Sequence, residues 1–380
     1  GPVLVAGGIF FYWLSLYLYV PILPLHAQDL GASLTMVGAI VAAYSIAQVV
    51  LRLPLGIAAD AVARRKPFAI ASMAVAALGA LLLASAPEPD HLFGARAVTG
   101  VAAAGWVPIS VLYTSYFPTS GASRTIGIIM AVNASGLVIG TLSGGLLAEA
   151  VGVQSTFYVS AAAAVIGGVM LLFAPEQKSI GQVGRITSRS IVDVIKSPLL
   201  VQISAIGITT QFTTFAINFG FLPVYAESIG ASKADVGYIT TTLLTAGVGG
   251  ALAATFLTDR VGFTRSLLIA STTTLVSFVA TPWIGTLLPL GAVQILSGFG
   301  RGAINTILFA LAAHSAPASH RATAMGTYQA IYAIGMLSGP AVSGTLSDSV
   351  GINAVFYLAA GVTTIGAILV VIRPLPNRLN

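Results

Sequence analysis

The stretch "GLVIGTLSGG", residues 136–145, places five glycines or serines among apolar residues that otherwise read as helix. Glycine inside a helix costs about 1 kcal/mol relative to alanine, so its repetition over three turns requires a compensating gain. The stretch "GMLSGPAVSG", residues 335–344, repeats the spacing 199 positions later. Gly136 and Gly140 pair with Gly335 and Gly339 in that register, and Gly127 pairs with Gly326. Outside the glycines, the same offset of 199 pairs Pro24 with Pro223, Asp60 with Asp259, and Phe157-Tyr158 with Phe356-Tyr357. It also aligns "GAS" at 31–33 with "GAS" at 230–232. Composition scatters glycine matches by chance, but not aspartate, proline and Phe-Tyr in one register. The chain is an internal duplication.

Composition says where that duplication resides. The 380 residues are 56% hydrophobic and 7% charged, against roughly 25% charged in soluble domains. Mean hydropathy is +0.94. Apolar runs of about 20 residues, each long enough to cross a bilayer as a helix, recur along the whole length. The reading is an all-α membrane protein with about twelve spans, near 3–26, 35–58, 67–86, 91–116, 124–149, 154–175, 198–226, 234–258, 265–283, 286–314, 322–347 and 352–373. A β-barrel needs shorter, alternating segments. With no cysteine, disulfides and thiolate sites are excluded. No cofactor and no metal is expected, and no nucleic-acid partner, since the net charge of +6 matters here by its distribution along the chain and not by its sum. Gly1-Pro2 reads as a protease-cleavage scar, with the native N-terminus expected upstream.

Alternate loops carry Arg64, Arg65, Lys66, Arg124, Lys178, Arg185, Arg189, Lys196, Arg260, Arg265 and Arg321, whereas the opposite loops carry only Lys233. The positive-inside rule therefore places the basic loops and both termini in the cytoplasm, and the membrane expected is a bacterial inner membrane. The polar stretch 176–197 divides the chain into an N-terminal six-helix bundle, 1–175, and a C-terminal one, 198–380. It reads either as a flexible linker or as an interfacial basic helix, with Ile191, Val192 and Ile195 towards lipid. Parallel repeats of this kind imply a pseudo-two-fold axis along the membrane normal.

Twelve spans, a duplicated six-helix unit and a central cytoplasmic linker resemble the major facilitator superfamily. After the second span, "GIAADAVARRK" (56–66) is similar to that family's loop motif through Gly56, Asp60, Arg64, Arg65 and Lys66, and departs from it at Ala61 and Ala63. The second half keeps "TDRVGFTR", with Asp259, Arg260, Gly262 and Arg265. A carboxylate at one helix end is attracted to the positive N-terminus of another. The expectation is a gate in which Asp60 meets the start of the eleventh span near Arg321, and Asp259 the start of the fifth near Arg124. An ordinary topology-setting loop is the alternative.

"LFGARAVTG" (92–100) resembles the family's fourth-helix motif through Leu92, Arg96 and Gly100. The opening stretch, with Gly127, Gly136, Gly140, Gly144 and Gly145, resembles the fifth-helix motif of its drug and metabolite antiporters. Thr141 stands where that motif has proline, and the eleventh span supplies the proline as Pro340. The resemblance implies antiport of a small amphipathic drug or metabolite against protons, and close packing of the fifth helix against the second half.

Every carboxylate falls at or near a loop, while Arg52, Arg96 and Arg301 lie inside spans. A charge inside the bilayer faces a cavity or a partner, or else snorkels to the interface. Cavities in the resembled fold are lined by the first, fourth, seventh and tenth helices, which selects Tyr17, Arg96, Gln211, Asn218, Arg301 and Asn305 as substrate-binding candidates. Asp29, Glu149 and His26 are the candidate proton sites, with solvated rim residues as the alternative. Cavity arginines without acidic partners leave a second reading open: a uniporter or exchanger of an anionic metabolite or lipid-like anion. No phosphate-binding loop for a pump and no H-E-x-x-H metal motif is present, so the class expected is a monomeric secondary transporter and not an enzyme.

Overall fold

The structure, a computed structural model, describes residues 1–61, 64–117, 122–176, 197–316 and 321–375. The side chains at 52, 53, 55–61, 122–124 and 321–323 lie outside the described set. So do the stretch 177–196, which holds most of the expected linker, and the expected gate contacts of Gly56, Asp60, Arg124 and Arg321.

Among the described residues, twelve helical passages follow one another. The first is broken into Pro2–Tyr17 and Leu23–Asp29. Leu34–Ala61 and Lys66–Ala84 form the second and third, and Pro89–Ala104 with Trp106–Thr114 the fourth. Ala122–Ala150 and Val153–Phe173 complete the first six. The seventh runs through Pro198–Thr213, a π-helical segment Thr214–Phe221, and Leu222–Ser228. Lys233–Ala280 holds the eighth and ninth, separated at Gly262 (φ 78°, ψ 169°). Leu287–His314, Arg321–Val350 and Asn353–Ile372 are the tenth to twelfth. Among the described residues, nine stretches are long and apolar enough to cross a membrane on their own. Twelve passages arise because the eighth and ninth share one stretch, the first is in two short pieces, and the eleventh is diluted by serine and glycine.

The duplication read from sequence is present in the backbone. Leu23–Asp29 and Leu222–Ser228 are seven-residue helices at an offset of 199, each opening on a proline after an irregular segment. Gly31 (φ 88°) and Gly230 (φ 94°) make the same left-handed turn after them, where a Cβ would be strained. A second pair, Gly152 and Gly351, has φ of 108° and 105°. The halves also share a clasp. Glu176 Oε1 accepts from the backbone N–H groups of Arg65 (2.6 Å) and Lys66 (3.0 Å) at the start of the third span. Lys66 Nζ donates to the carbonyls of Leu172 (2.7 Å) and Ala174 (2.8 Å) at the end of the sixth. A negative group at a helix N-terminus and a positive one at a C-terminus satisfy unpaired backbone groups and oppose the dipole. In the second half the Leu375 N–H donates to Thr264 Oγ1 at 2.9 Å, at the positions 199 beyond Glu176 and Arg65.

The chain divides into two compact units: Gly1–Gln182 with Ala231–Thr241, and Val183–Gly230 with Thr242–Asn380. Within the first, the glycines of the opening stretch form a stripe on the first span. A Cβ at Gly136, Gly140 or Gly144 would lie 2.8, 3.2 and 1.6 Å from the carbonyl oxygens of Phe10, Leu14 and Leu18. Both rows advance four residues at a time, so the two parallel helices stay in step while their backbones touch. The second unit repeats this, with Gly335 and Gly339 on the carbonyls of Ile208 and Phe212 in the seventh span (2.1 and 2.3 Å).

This corrects the expected direction of the seam. Gly136, Gly140 and Gly144 face the first span of their own bundle instead of the second half, because a stripe spaced by four faces one neighbour. Gly127 has nothing within 4 Å of its Cβ position and takes no part in the seam. Gly145, one position round the helix, faces differently: its Cβ would meet Gly237 Cα at 2.6 Å. Around that contact, Ala231–Thr241 groups with the first unit. Pro340 is interior to the eleventh helix.

Candidate substrate site

In the first unit Arg96 is 4% exposed. Its Nη1 donates to Tyr19 Oη (3.2 Å) and to Thr99 Oγ1 (3.3 Å), and Thr99 returns its hydroxyl proton to the Arg96 carbonyl (2.7 Å). The guanidinium lies 4.3 Å from the Tyr44 ring centroid and 5.5 Å from that of Tyr19. These partners are neutral: hydroxyl oxygens and aromatic faces hold the cation, and among the described residues no carboxylate does. Gly100 allows the approach, since its Cβ would lie 2.3 Å from the Tyr44 carbonyl oxygen. Nearby in the same helices, Trp13 touches Tyr17 and Trp106 at centroid distances of 5.7 and 5.2 Å. Tyr12 is pinned by its bond to the Ala102 carbonyl (2.8 Å).

The second unit brings four of the expected residues into two groups. Gln211 Nε2 donates to Asn305 Oδ1 at 3.4 Å. Asn218 and Arg301 line a pocket with Thr210, Thr214, Thr274, Ser297 and Thr363, among others. The seventh, ninth, tenth and twelfth spans all contribute to it. Its internal free volume is about 20 Å³, room for about one or two waters and not for a drug-sized ring. The seventh span supplies Asn218 from its π-helical segment, where an extra residue per turn swings side chains out of the α register. Close backbone contacts hold the tenth span there: Cβ atoms at Gly298 and Gly302 would lie 2.0 and 1.9 Å from the carbonyls of Leu243 and Gly247.

Two of the three candidate proton sites meet one lysine. Asp29 Oδ2 is 3.6 Å from Lys233 Nζ, and Glu149 Oε2 accepts the Lys233 backbone N–H at 3.0 Å. Asp29 is half-exposed, so the ion pair is worth at most about 1 kcal/mol. His26 is 6% exposed, with its ring 5.5 Å from Phe157. Asp259 and Arg260 are exposed and line an open surface pocket with Gly262, Thr264, Arg265 and Pro374. Arg64 is exposed. The Arg65 backbone belongs to the clasp described above.

Residue-by-residue reading of the sequence did not select the hydroxyl partners. Thr99 beside Arg96, and Ser297, Thr274 and Thr363 in the pocket with Arg301, are individually ordinary. Of these, Thr274 lies in "STTT" (271–274), and the pocket's Thr210 and Thr214 lie in "TTQFTT" (209–214), hydroxyl runs inside otherwise apolar spans.

Twelve helices in two related units, glycine-packed and with cationic and hydroxyl side chains buried inside, define a polytopic transporter and not an enzyme. The model of the Major Facilitator Superfamily matches residues 5–225 and 203–380, and the chain belongs to that family. It is 27% identical to the multidrug resistance protein MdtG of Citrobacter koseri, over 95% of this chain and 91% of the relative. It is 26% identical to the multi-drug resistance efflux pump PmrA homolog of Lactococcus lactis, over 91% and 88%. Among solved structures, a mutant form of the nucleoside transporter NupG matches with a TM-score of 0.80 at 17% identity, covering 96% of this chain and 98% of that one. A bacterial homolog of the human lysosomal transporter Spinster matches with a TM-score of 0.81 at 14% identity, covering 98% and 95%. These structural matches establish the fold.

Proposed function

We propose that this protein exports small amphipathic drugs or metabolites by alternating access in exchange for protons. It would act as a monomer in a bacterial inner membrane, with both termini cytoplasmic. The observation that carries the reading is its likeness, over about nine-tenths of both chains, to two multidrug resistance transporters. Aromatic walls with few polar anchors, here Trp13, Tyr17 and Trp106 beside Arg96, suit an amphipathic ligand. Arg96, Tyr17, Gln211, Asn218, Arg301 and Asn305 are the proposed substrate contacts. His26, Glu149 and Asp29 are the proposed proton-handling groups; Gly56, Asp60, Arg64, Arg65, Arg124, Asp259, Arg260 and Arg321 are the proposed gating residues.

A second reading, exchange of an anionic metabolite without proton coupling, has its own support in the all-neutral surroundings of the buried Arg96. One experiment separates the two. Purified protein in liposomes is given a panel of lipophilic cations, neutral drugs and anionic metabolites, with and without an imposed pH gradient. Uptake of a drug driven by ΔpH, and reduced by Glu149→Gln or His26→Gln, supports antiport. Flux of an anion indifferent to ΔpH overturns it.

A further inference from the structure

The pocket within the second unit is lined by hydroxyls, by the Asn218 amide and by the donor side chain of Arg301. Thr210, Thr214, Thr274 and Thr363 donate their hydroxyl protons to the carbonyls of Ile206, Thr210, Ala270 and Ala359, at 2.9, 2.8, 3.0 and 2.8 Å. Each therefore presents only an acceptor oxygen to the pocket. Asn218 and Ser297 are each 1% exposed, and Asn218 Oδ1 and Ser297 Oγ have no hydrogen-bond partner among the described residues. Polar atoms that deep are ordinarily paired, by protein, by water or by a ligand. Both line one pocket.

The chemistry of a group that would pair them is narrowly bounded. Asn218 Oδ1 needs a donor, and Ser297 can give or accept. A hydroxyl does both, and it also suits the amide if its O and N are exchanged. Arg301 in the lining disfavours an ammonium group. A free volume of about 20 Å³ admits a single oxygen and excludes a ring. Resting on the drug-transport reading above, we infer that this pocket receives a neutral hydroxyl of the substrate, and that Asn218 and Ser297 make the transporter prefer alcohols and phenols over their ethers. A methyl ether offers no proton to Asn218 and brings a methyl group the pocket has no room for.

The test measures equilibrium binding to the purified 380-residue chain of three probes with one hydroxyl each, 4-hexylphenol, 2-naphthol and 6-phenylhexan-1-ol, each beside its O-methyl ether. In the unsubstituted protein at least one alcohol is expected to bind about tenfold more tightly than its ether, the ordinary effect of leaving a buried polar group unpaired. Asn218→Leu and Ser297→Ala are each expected to bring the alcohol down to the affinity of the ether and to leave the ether unchanged. Should Asn218→Leu fail to fold, Ser297→Ala and the ratio in the unsubstituted protein decide the matter alone. An unchanged alcohol-to-ether ratio in the variants means that the pocket holds only structural water, and the inference is wrong. Equal binding of alcohol and ether by the unsubstituted protein overturns the inference and leaves the transport reading standing. Binding of none of the six compounds overturns the inference, while the liposome experiment above decides the transport reading separately.

Discussion

Thr141 Oγ1 and Thr241 Oγ1 lie 3.0 Å apart, across a contact where two glycines, Gly145 and Gly237, bring their helices into backbone touch. Thr141 occupies the position where the resembled antiporter motif carries proline. Its hydroxyl reaches the carbonyls of Leu137 and Val138, both at 3.1 Å, so its proton goes back to its own helix and its oxygen accepts from Thr241. A proline would loosen the helix ladder at this point. The threonine keeps the ladder and adds a bond. Thr141→Val should lower stability by about 1 kcal/mol, read as a melting-temperature drop of a few degrees in detergent. Thr141→Ser, which keeps the hydroxyl, should restore most of it.

The glycine stripe makes a sharper contrast within one helix. Gly144→Ala places a Cβ 1.6 Å from the Leu18 carbonyl oxygen, so the first and fifth spans must separate. A loss of about 1–3 kcal/mol or more is expected, as for overpacking. Gly127→Ala, with nothing within 4 Å of its new methyl, should gain about 0.5–1 kcal/mol from helix propensity. Thermal unfolding of the two variants side by side checks the prediction; equal effects would remove the stripe's assigned role.

Glu176 is the acceptor at the start of the third span, with two backbone N–H groups on one oxygen. Glu176→Ala should cost about 1–2 kcal/mol, the range of a lost N-terminal cap. Lys66→Met should cost less, because the two carbonyls it leaves are near the solvent-exposed end of the sixth span. Both losses should appear in thermal stability with substrate affinity unchanged, since the clasp lies within one bundle.

Arg96 should resist the conservative change. Lysine keeps the charge but loses the planar face stacked on Tyr44 and the fork that reaches Tyr19 and Thr99. Arg96→Lys is expected to reduce transport about tenfold or more, with little change in folded yield. Near-normal transport by Arg96→Lys would show that only the charge matters.

The Lys233–Asp29 pair should matter little to folding. With side chains 31% and 51% exposed, Lys233→Ala is expected to shift stability by less than about 1 kcal/mol. Its effect should shrink further in high salt. Glu149 loses nothing directly, because its partner is the Lys233 backbone N–H and not the ammonium group.

Much of this protein was legible as pattern. Apolar runs of bilayer length and matches such as Pro24 with Pro223 at an offset of 199 marked the spans and the duplication, and basic residues in alternate loops set the expected orientation. These are properties of composition and spacing, and the bilayer enforces them without reference to any neighbour. The destination of a side chain is another matter. That Gly140 would face Leu14 in its own bundle, that Gly145 alone would turn to Gly237, and that Arg96 would rest on Tyr44 were decided by tertiary structure. So was the gathering of Asn218, Ser297 and Arg301 round one small pocket. The five glycines of Ala122–Ala150 look alike in sequence, but successive residues are rotated about 100°, so 136, 140 and 144 stay near one face while 145 turns away from it. Which neighbour waits at each angle depends on helices distant in the chain, and only the packed structure supplies them.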